Sequence, residues 1–252
     1  MQRAQRTVQG VLDDAIQRVA PESGLTTFAG RTDRGVHALG QVVSVDLSWT
    51  DQSDRCRDAL NAVLPRDIGV RSVEWMSGTF HARFDARWRE YRYRILVSPT
   101  PPVLERRYVW WRRCPVDLEV ADEAAARFVG TMAFGSFAGS GKSRSVPPEK
   151  LVRTVRRSSW TATYTGEAAR YEFRIEATGF LPRMVRNLTA AIVDVGTGRQ
   201  PLEWIDELIA ANDRSVLGEA APPEGLVLWR VCYDDEDDSN HGSVQHGEYG
   251  II

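Results

Sequence analysis

Residues 28–38 read Phe28-Ala29-Gly30-Arg31-Thr32-Asp33-Arg34-Gly35-Val36-His37-Ala38. One carboxylate, Asp33, stands between two glycines and between two arginines. In extended backbone, Arg31 and Asp33 point to the same side. A guanidinium beside a carboxylate keeps it ionised even where water is excluded, as a carboxylate nucleophile or electrostatic stabiliser requires. The plainer reading is an Asp that merely caps a turn, and spacing alone favours it.

Working outward, Val8, Val11, Leu12, Ala15, Ile16 and Val19 recur at helical spacing ahead of this segment, with Thr7 as the N-cap. Residues 25–29, 41–46 and 68–74 read as strands, and residues 54–63 as a helix ending before Pro65. Residues 91–97 alternate, with Tyr91, Tyr93 and Ile95 on one face and Arg92 and Arg94 on the other. Helices are predicted over 117–128, from Met184 to a stop at Gly196, and from Pro201 through Ala211. Residues 151–163 and 170–177 read as a strand pair, and residues 226–232 as a last strand. Strands and helices mix without a strict βαβ rhythm, so the expected class is α+β with a largely antiparallel sheet and flanking helices. The expected domains are residues 1–87, carrying Asp33, residues 88–233, and an acidic, disordered tail over 234–252.

Composition narrows the function classes. The 252 residues are 42% hydrophobic and 26% charged, which excludes wholesale disorder. No apolar run approaches the ~18 residues of a membrane span, and the polar N-terminus is no signal peptide. Cys56, Cys114 and Cys232 lie far apart, giving neither a disulfide framework nor a zinc site. These features predict a soluble protein of a reducing cytoplasm. The net charge of −2 hides an asymmetry, because the tail holds six acids and no Lys or Arg, leaving 32 basic against 28 acidic side chains in the body. Lys142 and Lys150 are the only lysines; Arg carries the rest of the positive charge. Arg suits phosphates and stacks on bases, although codon bias gives the same composition.

Three motifs are decoys. Gly139-Ser140-Gly141-Lys142-Ser143 lacks the glycine a phosphate-binding loop needs at position 136, which is Ser. Gly196-Thr197-Gly198 meets Pro201 where a dinucleotide fingerprint needs its third glycine, and reads as a helix C-cap. Asn187-Leu188-Thr189 is a formal glycosylation sequon inside an apolar helix. No His, Cys, Asp or Glu cluster has metal-ligand spacing.

Residues 28–38 resemble the catalytic segment of the tRNA pseudouridine synthases that modify the anticodon stem-loop at tRNA nucleotides 38 to 40. That family writes Gly-Arg-Thr-Asp-Ala-Gly-Val-His, so this chain departs only by Arg34. Further matches follow in the family's order: Arg6-Thr7-Val8-Gln9-Gly10, Gly40-Gln41-Val42-Val43, Leu60-Asn61-Ala62-Val63-Leu64-Pro65 and Phe80-His81-Ala82-Arg83-Phe84. Tyr91-Arg92-Tyr93, Met184-Val185-Arg186-Asn187, Asn212-Asp213-Arg214-Ser215 and Glu224-Gly225-Leu226 complete the set. The likeness runs from residue 6 to about 233 and implies a pseudouridine synthase fold, with two subdomains around a basic cleft.

It also implies roles. Asp33 would be the catalytic carboxylate, and Arg31 would hold it and help flip the nucleotide. Tyr91 would lie against the target base and take part in proton removal at C5, and Arg186 would line the cleft. Uridine and pseudouridine are isomers, so no cofactor or metal is implied. The partners implied are tRNA and a second copy of the chain. Two Arg-rich stretches, 83–113 and 142–157, would meet the RNA backbone. The family usually carries a strand and loop ahead of the first helix, and Pro182-Arg183 stands where it usually has aromatic or His residues. An absent strand would leave an open sheet edge. It also raises a competing expectation, a truncated relative that binds tRNA without modifying it.

Overall fold

The computed structural model describes residues 6–139 and 147–234. Most of the Gly139–Ser143 motif and of the acidic tail lie outside the described residues. In chain order the first elements are α1 (Val8–Val19), β1 (Thr27–Phe28), β2 (His37–Ala38), β3 (Val43–Ser44) and α2 (Ser53–Val63). Next come β4 (Trp88–Val97), β5 (Trp110–Arg112), α3 (Leu118–Ala126), β6 (Gly130–Ala133), β7 (Val152–Thr165) and β8 (Ala168–Ala177). The last are α4 (Met184–Gly196), α5 (Trp204–Ala211) and β9 (Leu226–Cys232). Among the described residues no helix is long and apolar enough to cross a membrane.

The elements pack as two units. One comprises residues 6–31, 41–87 and 233–234; the other comprises 32–40, 88–139 and 147–232. The loop carrying Asp33 therefore packs with elements that begin more than fifty residues after it.

In the first unit the Thr7 side chain caps α1 by accepting the Gly10 N–H, a bond that satisfies one of the helix's orphan donors. Leu12, Ala15 and Ile16 of α1 share a core with Cys56 and Leu60 of α2 and with Val43, Val70 and Val73. The two strands expected over 25–29 and 41–46 contract to β1 and β3, which pair antiparallel over two residues each. Residues 68–74 form no strand. The Asn61 side chain takes both backbone groups of Val70, donating to its C=O at 2.8 Å and accepting its N–H at 2.8 Å. The β-branched residues there report burial of Val70 and Val73, three positions apart, while a side chain replaces the ladder.

In the second unit the sheet runs β2-β9-β4-β8-β7-β6, with β5 parallel to β4 at its end. Strands β4 and β8 pair antiparallel from Arg89↔Ala177 to Val97↔Ala169. As expected from the alternation, Tyr91, Tyr93 and Ile95 face one core, shared with Phe173 and Ile175 of β8 and with Leu188 and Ile192 of α4. The opposite face carries an ionic lattice. Glu90 and Glu176, each at most 2% exposed, bind Arg92, Arg156 and Arg174. Burial pushes the Glu176 carboxyl up, but the hydrogen bonds from Arg156 and Arg174 more than offset this and hold it below its ordinary range.

Several boundaries differ from expectation. Helix α3 starts at Leu118 with Asp117 as its cap. Helix α5 starts at Trp204, and the Pro201 carbonyl closes the turn ahead of it. Strands β2, β5 and β6 span two to four residues, too few for alternation to show.

Candidate active site

The loop of Asp33 is fixed at both ends. In the first unit the Gln41 amide donates to the Gly30 C=O at 2.6 Å and accepts the Gly30 N–H at 3.3 Å. In the second, β2 lies parallel to β9, with His37 opposite Val227. Gly40 follows where a Cβ would stand 2.3 Å from the Trp229 carbonyl oxygen, so only glycine lets the chain lie this close. The turn itself is closed by backbone: the Asp33 C=O accepts the Val36 N–H at 3.1 Å, and Gly35 takes φ +86°. The Asp33 side chain is thereby left for another partner.

That partner is Arg186, 153 residues away, whose guanidinium Nη1 donates to Asp33 Oδ2 at 2.8 Å. Arg186 sits in the first turn of α4, and its side chain is 14% exposed against 35% for Asp33. Its Nε donates to the Ala221 carbonyl at 2.7 Å, while the Ala221 N–H returns a bond to the Arg186 C=O at 3.1 Å. The guanidinium is thus held at two atoms, one of them on the carboxylate. Among the described residues no hydrogen bond reaches the other oxygen, Oδ1.

Tyr91, on β4, packs edge-on against Phe180 with ring centroids 4.9 Å apart. Burial pushes its phenol up to about 12; Arg89 pulls the other way, and the nearby charge of Asp33 adds to the rise. At pH 7 the phenolate share is about one part in 10⁵, so Tyr91 presents a neutral hydroxyl. Its neighbour in the motif, Tyr93, is fully buried and donates to the Pro222 C=O at 2.6 Å. Tyr93 is a core residue.

Asp33, Tyr91 and Arg186 all belong to the second unit, whereas Arg31 is exposed and closes a segment of the first. The guanidinium set on Asp33 is that of Arg186. Two residues of the site escaped the sequence reading. Arg89 stands two residues before Tyr91 on the same strand face, a spacing that could have found it. Phe180 carries no such signal, since it lies in a loop.

The decoys resolve structurally. Asn187 is fully buried, and its amide donates to the Phe137 and Ala138 carbonyls at 2.8 and 3.2 Å, which leaves no room for a glycan. Thr197 is the C-cap of α4, and Gly198, with φ +70°, follows it in the left-handed region. The basic stretches are partly spent internally, since Arg92 and Arg94 bind Glu172 and Arg156 binds Glu176. Arg106 and Arg107 stay exposed. Among the described residues no three or more His, Cys, Asp or Glu are grouped to hold a metal ion.

A carboxylate with one oxygen clamped and one open, beside a neutral phenol, can attack or stabilise an electrophilic carbon. Comparison with known proteins gives this arrangement a context. The profile described as tRNA pseudouridine synthase matches residues 1–85 and 124–234. The tRNA pseudouridine synthase A of Geobacillus kaustophilus is 38% identical over 237 residues, covering 94% of this chain and 89% of the relative. That of Bacillus licheniformis is 39% identical, covering 93% of each chain. That of Pseudothermotoga lettingae is 39% identical, covering 92% of each.

Proposed function

The chain belongs to the tRNA pseudouridine synthase family, and from that membership we propose that it isomerises uridine to pseudouridine in tRNA. The proposed targets are nucleotides 38 to 40 of the anticodon stem-loop, and the proposed working form is a cytoplasmic homodimer that uses no cofactor or metal. The observation that carries the reading is the Asp33–Arg186 pair at 2.8 Å, which joins two of the family's motifs across the chain.

The reaction breaks N1–C1′, turns the uracil, and forms C5–C1′; C5 gives up its proton and N1 gains one. Asp33 supplies the negative charge, as a nucleophile toward base or sugar or as a stabiliser of the cleaved sugar. Arg186 aims that carboxylate through its 2.8 Å charge-assisted hydrogen bond. The target must leave its stack at a cost on the order of a few kcal/mol; Arg31 occupies the vacated space and Tyr91 bounds the base. Because Tyr91 is neutral, its hydroxyl can accept the C5 proton only as its own proton passes to water, from which N1 takes one, so removal is a relay and not abstraction by phenolate.

Asp33→Asn tests the assignment, since it keeps the volume and removes the charge. The variant and parent would be compared on an unmodified tRNA transcript with uridine at nucleotides 38 to 40. The expected result is loss of pseudouridine with affinity for the transcript retained. Turnover within about tenfold of the parent would overturn the role of Asp33. A parent that binds the transcript and leaves it unmodified would overturn the activity itself.

A further inference from the structure

The Asn212-Asp213-Arg214-Ser215 motif has no part in the chemistry above, yet it roots a segment that ends on the active pair. From α5 the chain turns at Asn212, in the left-handed region at φ +46°, and runs as a strap to β9. At its root the Asn212 Oδ1 accepts the Gly135 N–H at 2.7 Å, and the Asp213 N–H donates to Ser136 Oγ at 2.8 Å. At its far end Ala221 makes the reciprocal bonds with Arg186 already described. Pro222 then takes the Tyr93 hydroxyl, and Pro223 lies over the glycine two residues past Asp33, where a Cβ on Gly35 would come within 3.0 Å of its Cγ.

Between root and end stands Arg214. Its guanidinium donates to the Leu217 carbonyl, to the Gly218 carbonyl at 2.8 Å and to Asn187 Oδ1 at 3.4 Å. Asn187 follows Arg186 directly on α4. One cation thus folds the strap upon itself and ties it to the helix turn that presents Arg186. The cation sits there at a cost. Burial, with repulsion from Arg183, holds its pKa below the usual range, and its Nε is buried with no partner among the described residues.

We propose that Arg214 is a positioning residue, which sets the strap so that the Ala221 carbonyl aims Arg186 at Asp33. The inference rests on the proposed activity for its meaning, but its geometry can be read without it. A guanidinium swung out of line leaves Asp33 without its orienting bond, and a displacement of about 1 Å at a reacting group can cost on the order of a hundredfold in rate. Substrate affinity does not pass through this contact.

The test compares Arg214→Met, Arg214→Lys and Arg186→Lys with the double variant Arg186→Lys/Arg214→Met. Arg186→Lys keeps a cation for Asp33 but has no Nε to bond Ala221. Arg214→Met is expected to lower kcat by about tenfold to a hundredfold with KM little changed, and Arg214→Lys to recover much of the loss. In the Arg186→Lys background the same Met substitution should cost less than about threefold, because coupled residues are not additive. Hydrogen exchange gives a readout free of activity: Arg214→Met should expose the Ala221 amide at least about tenfold while the β4 amides stay protected. Equal factors in both backgrounds, or an Ala221 amide unmoved by Arg214→Met, would overturn the proposal. An inactive parent whose Ala221 amide responds as expected would instead overturn the activity and leave the strap's geometry standing.

Discussion

Replacing Tyr91 with Phe removes one oxygen from the site and almost nothing from the fold. The ring keeps its edge-on contact with Phe180, and no described residue hydrogen-bonds the hydroxyl, so no partner is orphaned. At pH 7 the change in folding stability should stay within about 0.5 kcal/mol. Alkaline pH separates the two proteins. The phenol's ordinary value of 10.0 is raised to about 12 in the folded chain, so unfolded chains lose this proton first. The stability linked to it is complete below pH 10 and is lost as pH climbs toward 12. At 1.36 kcal/mol per unit, the parent should lose up to about 3 kcal/mol that the Phe variant keeps. Urea unfolding at pH 9 and pH 11 reads about 1.3 kcal/mol of this difference, because pH 11 lies only one unit above the unfolded phenol's value. Equal losses in the two proteins would refute the claim that burial holds the phenol neutral. Turnover gives the second arm: the Phe variant should fall about a hundredfold in kcat with affinity unchanged. Parental kcat should carry no limb from this phenol between pH 6 and 9. A tenfold rise per unit there, present in the parent and absent in the variant, would show phenolate at work and sink the relay.

Arg106→Ala/Arg107→Ala should flatten the salt dependence of tRNA binding by about one unit of slope for each phosphate no longer neutralised; filter binding across a salt series checks it, and an unchanged slope would place the phosphate contacts elsewhere. Gly225→Ala should destabilise the second unit, because a Cβ there would lie 2.7 Å from the Arg94 carbonyl oxygen and 2.7 Å from the Tyr93 ring. Overpacking of this kind costs about 1–3 kcal/mol, read as a lower urea midpoint; an unmoved midpoint would mean that β4 yields freely.

The helices α1, α3 and α4 and the long strands β4, β7, β8 and β9 were legible because each is long enough for its apolar period to repeat and for its caps to show. Thr7, Asp117 and Gly198 mark ends by local chemistry that needs no tertiary partner. The stretch 68–74 misled because β-branched apolar content reports only which side chains are buried. It cannot report that Asn61 would claim the backbone groups of Val70.

The same division runs through the site. The sequence by itself determined which residue types were available: a carboxylate in a glycine-bounded loop, an aromatic on an alternating strand, an arginine opening an apolar helix. It also placed the glycines, since a left-handed turn at Gly35 and the backbone contact at Gly40 admit little else. Only the tertiary structure decided that Asp33 pairs with Arg186, 153 residues distant, and that the strap after Asn212 holds that arginine by a backbone carbonyl. The physical reason is that a carboxylate's partner is chosen by distance in space and by burial. Both are set by how β2 joins β9 and how α4 packs under the sheet, and neither is written in the residues flanking Asp33.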